Sequence, residues 1–245
     1  ALALPAGHEA ALRGASAVEL IHAYSLVHDD LPCMDNDVLR RGKPTVHVRY
    51  GEAQAMLAGD AMQALAFEVL TPEAGTGVGT AMSPALQARL CRLLAQAAGQ
   101  AGMAGGQAID LAHVGCGMTE DALRHMHRLK TGALLQASVL MGAHCGNAAP
   151  AALQALADYG AALGLAFQVV DDILDVTQDS ATLGKTAGKD AEQGKPTYVS
   201  LLGLERAQAY ARELLVQALA ALDAAALPDT RALAALAQMV VNRSH

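Results

Sequence analysis

Tryptophan is absent from this sequence, and only 2 phenylalanines and 5 tyrosines occur in 245 residues. A core without large rings must be assembled from Ala, Leu, Val and Met, and the abundant alanine and leucine favour helix. Basic residues are scarce too: 17 Lys and Arg stand against 24 Asp and Glu, a formal net charge of −7. That balance argues against non-specific nucleic-acid binding, which depends on neutralising phosphates. An anionic ligand has to be attracted by local cations, not by the overall field. The 4 cysteines, Cys33, Cys91, Cys116 and Cys145, are scattered with no C-x-x-C pair. They offer neither a zinc site nor a disulfide framework, so a reducing, cytoplasmic setting is the default expectation. Ala1-Leu2-Ala3-Leu4-Pro5 resembles neither a signal sequence nor a membrane span. No stretch alternates apolar and polar residues long enough to read as a strand, and no repeat of fixed period is found.

What is present is apolar and helical. Hydrophobic residues make up 53% of the chain and charged ones 17%, ample for a core in one large domain or two small ones. The spacing predicts helices over residues 15–31, 52–70, 84–110, 121–145, 150–176, 196–222 and 228–243. Residues 7–13 read as the end of one helical unit and a connection, and residues 40–47, 71–83 and 178–194 as loops. The expected architecture is all-α, a single large bundle of long antiparallel helices around a deep central cavity.

The most informative stretch is His28-Asp29-Asp30-Leu31-Pro32-Cys33-Met34-Asp35-Asn36-Asp37, followed at once by Arg40-Arg41-Gly42-Lys43-Pro44. Carboxylates packed this closely repel one another unless protons or cations neutralise them. Mg²⁺ typically binds through one or two carboxylates plus substrate phosphates, and arginine forks match phosphate oxygens. On an unbroken helix Asp29 and Asp35 would point about 240° apart. Pro32 disfavours helix at Leu31, and unwinding there would bring Asp35 back beside Asp29. A solvated acidic helix end would show a similar composition, so this stretch alone leaves both readings open.

A second acidic cluster, Asp171-Asp172-x-x-Asp175, lies about 140 residues further on, inside a strongly apolar helix. Asp171 and Asp175 share a helix face, and acids in such surroundings are costly unless they meet cations. Two such clusters facing each other in a bundle would hold several Mg²⁺ ions around one diphosphate. Basic residues follow each cluster: Arg40, Arg41 and Lys43 after the first, and Lys185, Lys189 and Lys195 after the second. A mobile lysine-bearing loop suits a lid over phosphates. Lys130-Thr131-Gly132 adds an ammonium and a hydroxyl within a helix.

These two motifs resemble the aspartate-rich motifs of trans-isoprenyl diphosphate synthases. Six further strings follow the family in order: His22-Ala23-Tyr24-Ser25-Leu26, Ala58-Gly59-Asp60, Gly105-Gly106-Gln107-Ala108-Ile109-Asp110-Leu111, Lys130-Thr131-Gly132-Ala133, Gly184-Lys185 and Gly194-Lys195-Pro196-Thr197-Tyr198. The likeness covers nearly the whole chain and is closest to the bacterial branch that makes a C15 chain. It implies a Mg²⁺-dependent prenyltransferase that condenses isopentenyl diphosphate with dimethylallyl or geranyl diphosphate by ionisation, condensation and elimination.

Carried over residue by residue, the likeness assigns Asp29 and Asp35, with Asp30 nearby, to two Mg²⁺ ions on the allylic diphosphate. Asp171, with Asp172 and Asp175, anchors a third. Arg40, Lys130, Thr131, Gln168, Lys185 and Lys195 correspond to allylic-diphosphate contacts, and His22 and Arg41 to isopentenyl diphosphate contacts. Asp29, Asp30, Asp35, Arg40, Lys130, Asp171 and Lys185 form the implied catalytic set. The released diphosphate accepts the proton, so no side-chain base is assigned. Tyr24 lies about 7.5 Å further down its helix than Asp29, where its ring would floor the tail cavity, while Ser25 is too small to block it. Family members are homodimers.

One departure stands out. The family's Gly-Gly-Lys-Arg-x-Arg-Pro stretch, which binds isopentenyl diphosphate, has no counterpart here, and the chain begins without Met. The expectation is a single polyprenyl synthetase domain over residues 1–245 without its N-terminal helices. Rival readings are a C10 or C20 synthase of the same family, a class I terpene cyclase, and a non-catalytic prenyltransferase subunit. Two intact motifs with their cations favour a synthase holding two diphosphates.

Overall fold

The computed structural model describes residues 5–73, 82–178 and 195–243. Its secondary structure is helical except for one two-stranded hairpin among the described residues, as the composition predicts. The described residues divide into two compact units, one ending at Arg92 and the other beginning at Leu93.

The first unit contains α1 (Pro5–Asp29), the strands β1 (Leu39–Arg40) and β2 (Lys43–Pro44), α2 (Val46–Tyr50), α3 (Glu52–Leu70) and the beginning of α4 (Pro84–Ala98). The connection expected at residues 7–13 does not exist, because α1 runs unbroken through Gly14. The reason is a buried stripe, Ala10, Gly14, Ala17, Ile21 and Tyr24, with helical spacing. A helical glycine costs about 1 kcal/mol relative to alanine, and packing of this stripe outweighs it. The stripe faces α3, whose own buried residues are Ala55, Gly59, Ala66 and Leu70. Small side chains on both helices allow close approach. Gly59 leaves room for the ring of His28, whose Nε2 lies 2.9 Å from the Met56 carbonyl. The C-terminal turn of α1 is thereby fixed just before the first acidic motif.

The second unit comprises the rest of α4, α5 (Met103–Ala112), α6 (Glu120–His127), α7 (Ala133–Cys145), α8 (Pro150–Thr177), α9 (Tyr198–Leu202), α10 (Leu204–Ala224) and α11 (Arg231–Asn242). The helix expected over 84–110 is split between Ala98 and Met103, where Gly99 and Gly102 interrupt it. That expected over 121–145 contains a π-helical turn, Arg128–Gly132. Such turns are rare and concentrate at functional positions. That expected over 196–222 breaks at Gly203, with φ of 80°. Thr119 caps α6 by accepting the Ala122 N–H, as the run Thr119-Glu120-Asp121 predicts.

The long helix α8 is central to this unit, packing on α6, α7, α9, α10, α11 and the π turn. By length and composition it could cross a membrane, and half of its most apolar stretch is buried inside the protein. Three aspartates near its C-terminus and packing on several helices make it the core helix of the unit. Leu123, Met126, Val169, Leu174, Tyr198 and Leu214 form one core cluster around it, and Leu156, Tyr159, Leu163, Leu222 and Val240 contribute to another.

The buried face of α5, Met103, Gly106, Gln107 and Asp110, packs on the π turn. A β-carbon at Gly106 would overlap the backbone nitrogen and Cα of Lys130. Backbone cannot rotate away as a side chain can. Gly106→Ala is therefore expected to destabilise the protein by about 1–3 kcal/mol, the usual cost of overpacking, measured by denaturant unfolding. Gly142→Ala, with open space at the same atom, should not lower the unfolding midpoint.

Candidate active site

In the first unit the acidic motif begins where α1 stops. The Asp30 N–H still reaches the Leu26 carbonyl at 3.2 Å, and then Pro32 ends the helical pattern. The chain turns back so that the Asp35 N–H donates to the Asp29 carbonyl at 2.8 Å. Asn36, in the left-handed region with φ of 52°, returns its N–H to the Leu31 carbonyl. Asp29 and Asp35 therefore come together at a helix end, both half-buried.

Asp30 differs from them in being only 3% exposed. Its carboxylate receives Arg40 through a fork: Nε lies 3.0 and 3.1 Å from the two oxygens, and Nη2 lies 2.7 Å from Oδ1. The hairpin makes this possible, pairing Arg40 with Lys43 across Arg41 and Gly42, whose φ values are 53° and 72°. Positive φ at both central residues is the signature of a tight hairpin turn. It leaves Arg40 partly buried and Arg41 exposed at the tip. Burial works against the Arg40 charge, but bonding to Asp30 and the charges of Asp30, Asp37 and Asp29 hold its pKa above the ordinary value.

His22 is half-buried, and Ser25 Oγ donates to its carbonyl at 2.8 Å. Tyr24 is 9% exposed and meets the His28 ring edge-on at 5.6 Å. Burial, and then the charge of Asp29, raises its phenol pKa.

In the second unit the second motif occupies the last turns of α8. Arg243 donates to Asp171 Oδ1 at 3.3 Å and to the Phe167 carbonyl at 3.2 Å, with its guanidinium 4.1 Å from the Phe167 ring centre. Asp172 is 3% exposed, and its Oδ2 accepts the Tyr198 N–H at 2.7 Å. Asp175, one turn beyond Asp171, is 6% exposed.

Two lysines converge on one carboxylate on α5: Lys130 Nζ lies 2.5 Å and Lys195 Nζ 3.9 Å from Asp110 Oδ2. Burial alone would raise the Asp110 pKa, but Lys130, by charge and hydrogen bond, and then Lys195 and His127 hold it below the ordinary carboxylate range. Thr131 Oγ1 donates to Gln168 Oε1 at 2.9 Å, so these two expected contacts are neighbours. Lys185 and Lys189 lie outside the described residues.

Four residues gained importance only from the structure. Asp110 stands in one of the quoted family strings, but its lysine partners are 20 and 85 positions away in the chain. Arg243 is 72 positions from Asp171, and no local pattern connects them. Tyr198 serves through its backbone N–H, which sequence does not display. His127, three residues before Lys130 and hence on its helix side, could have been found by spacing. Its pKa is pushed down to about 4 by burial and then by Lys130, so it is neutral at pH 7. Among the described residues neither of its ring nitrogens has a hydrogen-bond partner.

Among the described residues no three His, Cys, Asp or Glu side chains form a ready-made metal cage. The donors nonetheless suit Mg²⁺. They are carboxylate oxygens, two of them on residues whose backbones are joined by the Asp35-to-Asp29 turn, and Mg²⁺ takes the rest of its shell from water and phosphate.

Comparison with known proteins agrees with the fold and with the family. Residues 2–235 match the family model described as polyprenyl synthetase. The chain is 51% identical over 237 residues to the farnesyl diphosphate synthase of Escherichia coli, covering 94% of this chain and 77% of that protein. It is 56% identical over 204 residues to a probable farnesyl diphosphate synthase of Bradyrhizobium diazoefficiens, covering 82% of this chain and 59% of that protein. A chloroplastic geranylgeranyl pyrophosphate synthase of Arabidopsis thaliana is 44% identical over 238 residues, covering 96% of this chain and 67% of that protein. Among solved structures, an FPP/GFPP synthase from Zymomonas mobilis superposes with a TM-score of 0.82 at 42% identity, over 95% of this chain and 76% of that one. A Helicobacter pylori geranyltransferase complexed with magnesium and isoprenyl diphosphate gives 0.78 at 37% identity, over 94% and 72%. Matched by the family model along almost its whole length, and sharing the helical fold of solved relatives, the chain belongs to the polyprenyl synthetase family of prenyltransferases.

Proposed function

We propose that this chain is the catalytic part of a farnesyl diphosphate synthase, joining isopentenyl diphosphate to dimethylallyl or geranyl diphosphate to give the C15 product. The observation that carries this reading is the pairing of each acidic motif with cations held ready by a carboxylate of its own unit. Arg40 rests on Asp30, and Lys130 with Lys195 on Asp110. Cations gathered in this way suit a diphosphate, whose oxygens can take over from the carboxylate. A terpene cyclase holds one diphosphate, and a non-catalytic subunit does not require two intact motifs with their cations.

Asp29, Asp35 and Asp171 are the principal residues for holding about three Mg²⁺ ions, with Asp30, Asp172 and Asp175 beside them. When bound, the metal neutralises charge on the leaving diphosphate. Arg40, Lys130, Lys185 and Lys195 stabilise that same charge as the bond from C1 to oxygen breaks. Thr131 and Gln168 orient the allylic end, and His22 and Arg41 hold isopentenyl diphosphate. The allylic cation needs walls without nucleophiles, which alanine- and leucine-rich helices provide. The double bond of isopentenyl diphosphate attacks C1, and the proton lost afterwards passes to the released diphosphate. His127, buried and neutral, takes no part in this transfer.

Tyr24 sets the C15 limit by closing the tail path, and Ser25 leaves it open. The enzyme works in the cytoplasm as a homodimer. In support of a dimer, α3 is rich in apolar residues, yet Met56, Leu57 and Leu65 are 42%, 65% and 43% exposed. Exposed apolar side chains of this size suit burial against a partner, and a second copy of the chain is the occupant proposed for them.

Labelled isopentenyl diphosphate with geranyl diphosphate and Mg²⁺ should give a labelled C15 alcohol after phosphatase treatment. Absence of Mg²⁺-dependent incorporation by the full-length protein would refute the synthase reading, and a C20 product would support the longer-chain alternative. Tyr24→Ala should shift the product toward C20 and beyond, and an unchanged C15 product would remove the ring from its role. Lys130→Met should lower kcat by about two orders of magnitude, as loss of one charge-stabilising donor does elsewhere. Single-turnover rates with geranyl diphosphate would show it.

A further inference from the structure

Tyr24 is 9% exposed, and a phenol ring on two rotatable bonds closes a path only while something holds it. The holder stands one turn further along α1. His28, four residues on and so on the same helix face, meets the Tyr24 ring with 5.6 Å between centroids and 77° between planes. Edge-to-face contact of this kind is a favoured arrangement for a pair of rings.

His28 is itself held from α3. Its Nε2 lies 2.9 Å from the Met56 carbonyl, with the Asp60 carboxylate 4.0 Å away, so the proton sits on Nε2 and is donated. The imidazole fills the space that Gly59 leaves open. A β-carbon added at Gly59 would overlap Nε2, Cδ2 and Cε1 of the ring. Gly59 lies buried inside α3, where the backbone needs no glycine and glycine weakens the helix. What its missing side chain provides is room for His28.

We propose that His28 is the positioning residue for the chain-length floor: seated in the Gly59 notch and bonded to the Met56 carbonyl, it holds the Tyr24 ring edge-on. Product length is then set by Tyr24, His28 and Gly59 acting as one unit, not by Tyr24 alone. This deepens the role given to Tyr24 above and rests on it. The physical basis is rotamer choice. In a helix the χ1 well near +60° is closed by the preceding turn, which leaves an aromatic side chain two wells. A neighbour packed against the ring in one well selects that well. A tail that presses on a held ring is released at C15, and a ring free to swing admits a further condensation.

The relay lies wholly within the first unit, and each of its members has a separate handle. His28→Ala removes the ring that meets Tyr24. His28→Gln removes the ring but can still donate to the Met56 carbonyl. Gly59→Ala leaves His28 in place as a residue and pushes its ring out of the notch.

The experiment gives these variants, Tyr24→Ala and the double variant Gly59→Ala with His28→Ala, geranyl diphosphate and excess isopentenyl diphosphate, and measures C15 and C20 alcohols after phosphatase treatment. His28→Ala should raise the ratio of C20 to C15 by about 2–10-fold, which is what one edge-to-face ring contact is worth. His28→Gln should match it, since the ring and not the hydrogen bond reaches Tyr24. Gly59→Ala should raise the ratio as well, and should add nothing once His28 is alanine, the non-additivity expected of a shared route. A product ratio does not depend on how much of the enzyme is folded, so a general loss of stability leaves it unmoved.

A raised ratio in Tyr24→Ala with unchanged ratios in His28→Ala and Gly59→Ala would overturn this inference and leave Tyr24 as the floor. Additive effects of Gly59→Ala and His28→Ala would overturn it too. C15 alone from Tyr24→Ala would remove the floor and the inference together. If Gly59→Ala fails to fold, the two His28 variants still decide. If the wild type transfers no prenyl group, the synthase reading fails. NMR of ring-labelled tyrosine then still tests the contact: the Tyr24 signal should move in His28→Gln, and an unmoved signal would overturn the holding role.

Discussion

Counter-charge governs this molecule. A chain with an excess of acid places aspartates at the ends of apolar helices, where each must meet a cation or a donor. It does so within each unit: Asp30 meets Arg40, Asp110 meets Lys130 and Lys195, Asp171 meets Arg243, and Asp172 meets a backbone amide. The local folds serve those meetings. The hairpin exists where Arg40 must turn back toward Asp30. The chain reverses after Pro32 where Asp35 must rejoin Asp29. The glycine at 106 lets α5 lie directly on the π turn, which places Asp110 under Lys130.

How far these arrangements could be read in the sequence follows from their range. Local and periodic features were legible. The bounds of α3 follow from its apolar spacing, and the unwinding after Leu31 from Pro32. Features that depend on partners far along the chain were not. Residues 7–13 read as a connection because Gly7 and Gly14 are poor helix formers, yet the stripe from Ala10 to Tyr24 packs on α3 and keeps the helix whole. The π turn carries no composition of its own. It becomes visible only when Gly106 is known to press against Lys130.

The family resemblance reached further than periodicity but stopped at residue type. It singled out both Asp-Asp pairs and put Asp29 and Asp171 ahead of their neighbours, without a physical reason for the order. Burial distinguishes them. Asp30 and Asp172 point into protein, and Asp29 and Asp171 stay half-open, a difference that one helical step of about 100° produces at a helix end. Two adjacent identical residues on a helix cannot face the same surroundings, so a doubled acid is well suited to two tasks: one carboxylate outward for charge, the other inward for support.

The same reasoning explains why the cations are stored on carboxylates. Asp110 accepts Lys130 and has Lys195 beside it, so the two ammonium groups are held close together. A hydrogen bond to a charged group contributes about 1.5–3 kcal/mol, so releasing a lysine to a diphosphate exchanges one such bond for another and changes the total little. What the arrangement provides is order. The ammonium groups wait within a few ångströms of each other, and the diphosphate need not gather them from solvent. Substrate affinity that would otherwise be spent on assembling the site becomes available where charge develops on the leaving group.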